Sequence, residues 1–90
     1  MPLERTLTIC NQRGLHARAA AKFVKLAGSF EAQVTVAKDG QSVDGGSIMG
    51  LMMLAAGIGT EIHITIDGTQ AEQAITAVEA LINDKFGEEC

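Results

Sequence analysis

Leu3, Leu7 and Ile9 alternate with Glu4, Thr6 and Thr8, the two-residue period of a strand with one buried face, and Arg5 is the exception on the apolar side. Asn11-Gln12-Arg13-Gly14 breaks that pattern. Ala20, Phe23, Val24 and Ala27 then recur at helical spacing, which predicts an amphipathic helix from about His16 to Ala27, ended by Gly28. Ala32, Val34 and Val36 alternate with Gln33 and Thr35, the turn residues Lys38-Asp39-Gly40-Gln41 follow, and a short strand around Ser42 to Asp44 completes a hairpin. Ile48, Leu51, Met52 and Ala55 return to helical spacing behind Ser47, which is placed to cap the first turn, with Gly57 and Gly59 as the stop. Ile62, Ile64 and Ile66 alternate with Glu61, His63 and Thr65 as a strand whose inner face is all isoleucine. The capping box Thr69-Gln70-Ala71-Glu72 opens a last helix, with a stripe of Ala71, Ala74, Ile75, Val78, Leu81, Ile82 and Phe86, closed by Gly87.

The order is βαββαβα. Only one side of each strand is apolar, so the expected fold is α+β, an antiparallel sheet with all helices on one face and water on the other. Ninety residues, 47% of them hydrophobic, with short connections and no repeat, suit a single domain over residues 1–90. A formal charge of −4 and three aromatic residues, all Phe, argue against a nucleic-acid groove, which needs basic faces and stacking rings, and point to proteins as partners. Cys10 and Cys90 are isolated and no secretory signal precedes them, so reduced thiols and a cytoplasmic location are expected. The longest apolar run, residues 48–59, contains three glycines and falls short of the roughly 20 residues that a membrane span needs.

Chemistry concentrates at Arg13-Gly14-Leu15-His16-Ala17-Arg18, where the first loop meets the first helix. A histidine at a helix start stands where unpaired N–H groups and the positive end of the helix dipole converge, and both favour an anion such as a phosphoryl group. The same field favours the neutral imidazole, a nucleophile able to hold a phosphoryl group covalently. Arg18 offers a guanidinium suited to phosphate oxygens, and Gly14 allows a tight turn that brings backbone near the phosphate. A histidine with a nearby arginine at a helix start is more often a polar surface end than a site.

The segment Gly14-Leu15-His16-Ala17-Arg18-Ala19-Ala20 resembles the active-site segment of the histidine-containing phosphocarrier (HPr) family of the phosphotransferase system. Val43-Asp44-Gly45 followed by Ser47-Ile48-Met49-Gly50-Leu51-Met52 resembles that family's second signature. Length and element order agree over nearly the whole chain. The resemblance implies an open-faced β-sandwich with a four-stranded antiparallel sheet and three helices on one face. It implies a phosphocarrier rather than an enzyme, with His16 accepting the phosphoryl group from phospho-Enzyme I and passing it to an enzyme IIA-type acceptor, and Arg18 as its partner. Ser47 resembles the family's regulatory serine, the target of the kinase/phosphorylase found in some bacteria. Ala17, Ile48, Met49, Met52 and Met53 fall in the region that docks Enzyme I and the acceptors. A monomer is expected, with no metal and no cofactor. Ala19 stands where the family commonly has Pro, which looks more like the nitrogen-related (NPr) branch than the sugar-transport members.

Several residues also have plain readings. Ser47 before an apolar helix is ordinarily a cap, and both roles are compatible. Met49 and Met53 cannot share one inner stripe with Ile48, Leu51, Met52 and Ala55, so an exposed apolar patch is expected beside Ser47. His63 points away from the isoleucine face and is assigned no function. Cys10 lacks a second ligand for a redox or metal site, which also removes a ferredoxin-like metallochaperone as the reading of the βαββαβ order. A regulatory module acting by stoichiometric docking, without phosphotransfer, is the alternative, and His16 with Arg18 argues against it.

Overall fold

The computed structural model describes residues 2–89; Cys90, read above as an unpaired thiol, lies outside them. Strand β1 (Leu3–Thr8) is followed by helix α1 (Ala17–Gly28), β2 (Gln33–Lys38), β3 (Gln41–Asp44), α2 (Ile48–Met53), β4 (Glu61–Asp67) and α3 (Ala71–Asn83), and a 3₁₀ turn, Lys85–Gly87, closes the described chain. The strands form one antiparallel sheet in the order β1-β4-β2-β3. Leu3 pairs with Ile66 and Thr8 with Glu61, so among the described residues the first strand finds its one neighbour in the last. The β2–β3 hairpin turns through Asp39 and Gly40, both with positive φ, as a two-residue connection between right-twisted strands requires.

One sheet face carries Leu7, Val34, Val36, Ile62, Ile64 and Ile66, all buried with Phe23 of α1, Leu51 of α2 and Val78 of α3 in a single apolar cluster. The expected α+β open-faced sandwich, four antiparallel strands with three helices, is therefore the fold observed.

Three local expectations are corrected. Thr69 does not cap α3: Gln70 occupies the N-cap without a side-chain cap bond. Its Oε1 instead accepts from the Glu31 amide, 2.8 Å away, while Thr69 Oγ1 reaches Glu31 Oε2. Tertiary bonding to the α1–β2 connection has won over the local cap. Helix α2 ends at Met53, before Gly57 and Gly59, because Ala55 turns left-handed at φ 53°, leaving Leu54 buried and Ala55 exposed. Helix α3 ends at Asn83, and Phe86 belongs not to its stripe but to the following turn, where Lys85 and Phe86 are both left-handed, with φ of 57° and 55°. Two such residues cost about 1–2 kcal/mol each. Full burial of the Phe86 ring recovers roughly 1.5–3 kcal/mol, and the bond from Lys22 Nζ to the Phe86 carbonyl, at 2.7 Å, adds to it. The turn thus folds the chain back across α1.

Candidate phosphoryl-accepting site

His16 is the N-cap of α1, with extended backbone and no side-chain bond into the helix. The Ala20 amide is the first to find an intrahelical acceptor, the His16 carbonyl at 2.8 Å. Among the described residues, the amides of Ala17, Arg18 and Ala19 have no acceptor and form an open set of donors at the positive end of the helix. Ala19 matters here, because a proline at that place would remove one of the three donors. The start of α2 differs: Ser47 Oγ accepts from the Gly50 amide at 2.9 Å, so one of its first-turn donors is taken by its own cap.

Gly14 has φ 63°, as the tight turn required, but its close approach is to protein backbone rather than toward a phosphate. A Cβ there would lie 2.3 Å from the Ala56 carbonyl oxygen, the atom that accepts from the Leu15 amide. The loop carrying His16 is thereby pinned to the segment after α2.

The His16 side chain is 17% exposed and donates from Nε2 to Glu88 Oε2. A carboxylate only accepts, so Nε2 carries the hydrogen, and in the neutral ring the lone pair is then on Nδ1. Among the described residues Nδ1 has no hydrogen-bond partner. The other Glu88 oxygen accepts from Asn11 Nδ2 at 3.1 Å, and Asn11, fully buried, also donates to the Gly14 carbonyl at 2.9 Å. The bond from His16, then that from Asn11, outweigh the desolvation that would raise it and, with Arg13 nearby, hold the Glu88 carboxyl below its ordinary value.

Arg18 is exposed and makes no side-chain hydrogen bond to His16; it lines a cleft of about 310 Å³ with Arg13, Lys22 and Glu88 beside the histidine. Ala17 is exposed at the same helix start. Around α2, Met49 and Met53 are 69% and 66% exposed, as the spacing predicted, but Ile48 and Met52 are exposed too, at 40% each, because a six-residue helix buries only Leu51. Ile58, 59% exposed, is a further exposed apolar residue that was missed: it follows the helix, where periodicity assigns no face. Glu88 was missed as well, since it lies 72 residues from its partner with no local pattern to flag it. Cys10 donates its thiol to the Ile82 carbonyl, a packing role.

The family model described as the PTS HPr component phosphorylation site matches residues 3–84. Phosphocarrier protein HPr of Cupriavidus necator is 51% identical over 86 residues, covering 96% of this chain and 97% of that protein, and HPr of Pseudomonas aeruginosa is 53% identical over 83 residues, 91% and 92% of the two chains. Phosphocarrier protein NPr of Shewanella violacea is 43% identical over 86 residues, 96% of this chain and 94% of that one, so both branch names occur among the relatives. A solved structure described as HPr-C-His from Thermoanaerobacter tengcongensis superposes with a TM-score of 0.93 at 44% identity, covering 98% of this chain and 99% of that one. A chain described as an HPr dimer from the same organism gives 0.77 at 44%, covering 91% and 94%.

Proposed function

Because this chain belongs to the HPr family and is a phosphocarrier protein of the phosphotransferase system, not a catalytic enzyme, we propose that His16 is the residue that carries the phosphoryl group, on Nδ1. The observation that supports this most directly is the pairing of an unengaged Nδ1 with three unsatisfied amides at one helix start, in a chain that matches the HPr family model over residues 3–84. The alternative of docking without transfer has no use for such an arrangement.

The donor in this proposal is phospho-Enzyme I and the acceptor an enzyme IIA-type domain, both met across Ala17, Ile48, Met49, Met52 and Met53, flexible apolar side chains that suit more than one partner. Arg18, on the adjacent turn, swings to the phosphoryl oxygens during transfer. Ser47 is a helix cap first. Where a kinase/phosphorylase of the HPr type is present, a phosphate on Ser47 places a charge near −2 beside the patch and slows docking. The working form is a monomer in the cytoplasm; among the described residues no helix is long and apolar enough to cross a membrane.

The test is incubation with phosphoenolpyruvate and Enzyme I. Label that is lost in acid and survives alkali, at one group per chain, is the expected result. Absence of label, or label that survives acid, overturns the proposal.

A further inference from the structure

Asn11, His16 and Glu88 come from the β1–α1 loop, the helix start and the tail beyond α3, and they meet in one chain of hydrogen bonds. Each link has a direction set by chemistry. Asn11 can only donate to a carboxylate and a carbonyl, and it is fully buried, so its position is fixed by packing. Glu88 is brought to it by a turn that spends two left-handed residues, Lys85 and Phe86, with Phe86 locked in the core and its carbonyl held by Lys22. The carboxylate therefore arrives on a braced segment, with one oxygen on Asn11 and the other on the His16 ring.

We propose that Glu88 is a positioning residue for phosphoryl transfer, holding the His16 imidazole in the tautomer and orientation that present Nδ1 as the nucleophile and stabilising the positive charge the ring acquires. This rests on His16 being the acceptor. In the accepting step the Nδ1 lone pair forms the N–P bond as the bond from phosphorus to the donor's leaving group breaks, its electron pair departing with that group. The proton on Nε2 stays in place, so the ring becomes cationic, and the carboxylate facing Nε2–H offsets that charge. In the donating step the N–P bond breaks and its pair returns to Nδ1, leaving the neutral ring as it began. The carboxylate lies across the ring from Nδ1, in direct contact with the ring that becomes charged and at longer range from the phosphoryl oxygens. Depression of the Glu88 carboxyl keeps it ionised throughout the neutral range.

The experiment compares the unaltered protein with Glu88→Ala and Glu88→Gln, reading the His16 ring ¹⁵N shifts and single-turnover transfer from phospho-Enzyme I, with folding checked by thermal melting. The unaltered protein shows the Nε2–H tautomer; Glu88→Ala shows a mixture and transfers about tenfold more slowly, roughly what one charge-assisted contact contributes. Glu88→Gln, whose amide oxygen still accepts from Nε2–H, keeps the tautomer and loses about threefold in rate. Unchanged ring shifts in Glu88→Ala overturn the proposal whether or not the rate falls, since a rate loss would then come from elsewhere in the tail. If the unaltered protein takes label on His16 while Glu88→Ala matches it in rate and shifts, only the role of Glu88 falls. If His16 takes no label at all, both readings fall together.

Discussion

Both histidines of this chain donate Nε2–H to a glutamate, His16 to Glu88 and His63 to Glu4, and their difference lies in everything around that shared contact. His63 sits on the solvent face of β4, 43% exposed, and its Nδ1 accepts from Thr6 Oγ1 across the strand pair at 3.1 Å. Both of its nitrogens are occupied and no helix points at it. His16 is 17% exposed, keeps Nδ1 free, and stands at the open amides of α1. A histidine–carboxylate pair is thus a cross-strand contact in one place and, in the proposed function, half of the phosphoryl-accepting site in the other. The free second nitrogen and the helix field make the distinction.

The sharpest way to break this comparison is to remove each ring in turn. His16→Ala should abolish label from phosphoenolpyruvate and Enzyme I, whereas His63→Ala should retain full labelling; label persisting in the first, or lost in the second with the fold intact, would reverse the assignment. The next largest effect concerns the support beneath His16, which has no counterpart under His63. Gly14→Ala combines a left-handed φ with a 2.3 Å approach to the Ala56 oxygen and should cost about 3 kcal/mol in chemical denaturation. A loss under about 1 kcal/mol would show that the two loops part easily.

Arg18→Ala should leave thermal stability within error, because the side chain is exposed, while slowing transfer about tenfold, near 1.4 kcal/mol of transition-state stabilisation. Unchanged kinetics would return Arg18 to the role of a solvated helix residue.

The smallest expected effect is on pH-dependent stability. Glu88 is depressed in the folded chain from its ordinary 4.5. Its contribution is therefore fully present above that value and lost as pH falls through the lower folded one. The groups it meets are His16, Asn11 and Arg13. The melting-temperature gap between the unaltered protein and Glu88→Gln should hold at neutral pH and close below pH 4.5. A gap that persists undiminished into strong acid would remove the ionised carboxylate from the account.

How much of this was legible from residue order depends on how local each cause is. The isoleucine alternation of β4, the Phe23 and Ala20 stripe of α1, the Asp39-Gly40 turn and the Ser47 cap all act within a few residues, and each reads directly. His16 at the helix start reads for the same reason. Thr69 failed as a cap because Gln70 found Glu31, 39 residues away. The breadth of the apolar patch depended on where Ala55 turned left-handed, which no apolar period records. Glu88 was invisible, since nothing in Phe86-Gly87-Glu88 marks a chain about to double back on residue 16.

That doubling back ties the surroundings of His16 to the order of synthesis. His16 and the loop before it leave the ribosome 72 residues ahead of Glu88, and β1 is still without its neighbour until β4 emerges. A fragment halted before residue 85 lacks a ring from the middle of the core and the carboxylate at the histidine in the same stroke. The closing turn thus makes the last piece of the core and the last contact of the histidine arrive together.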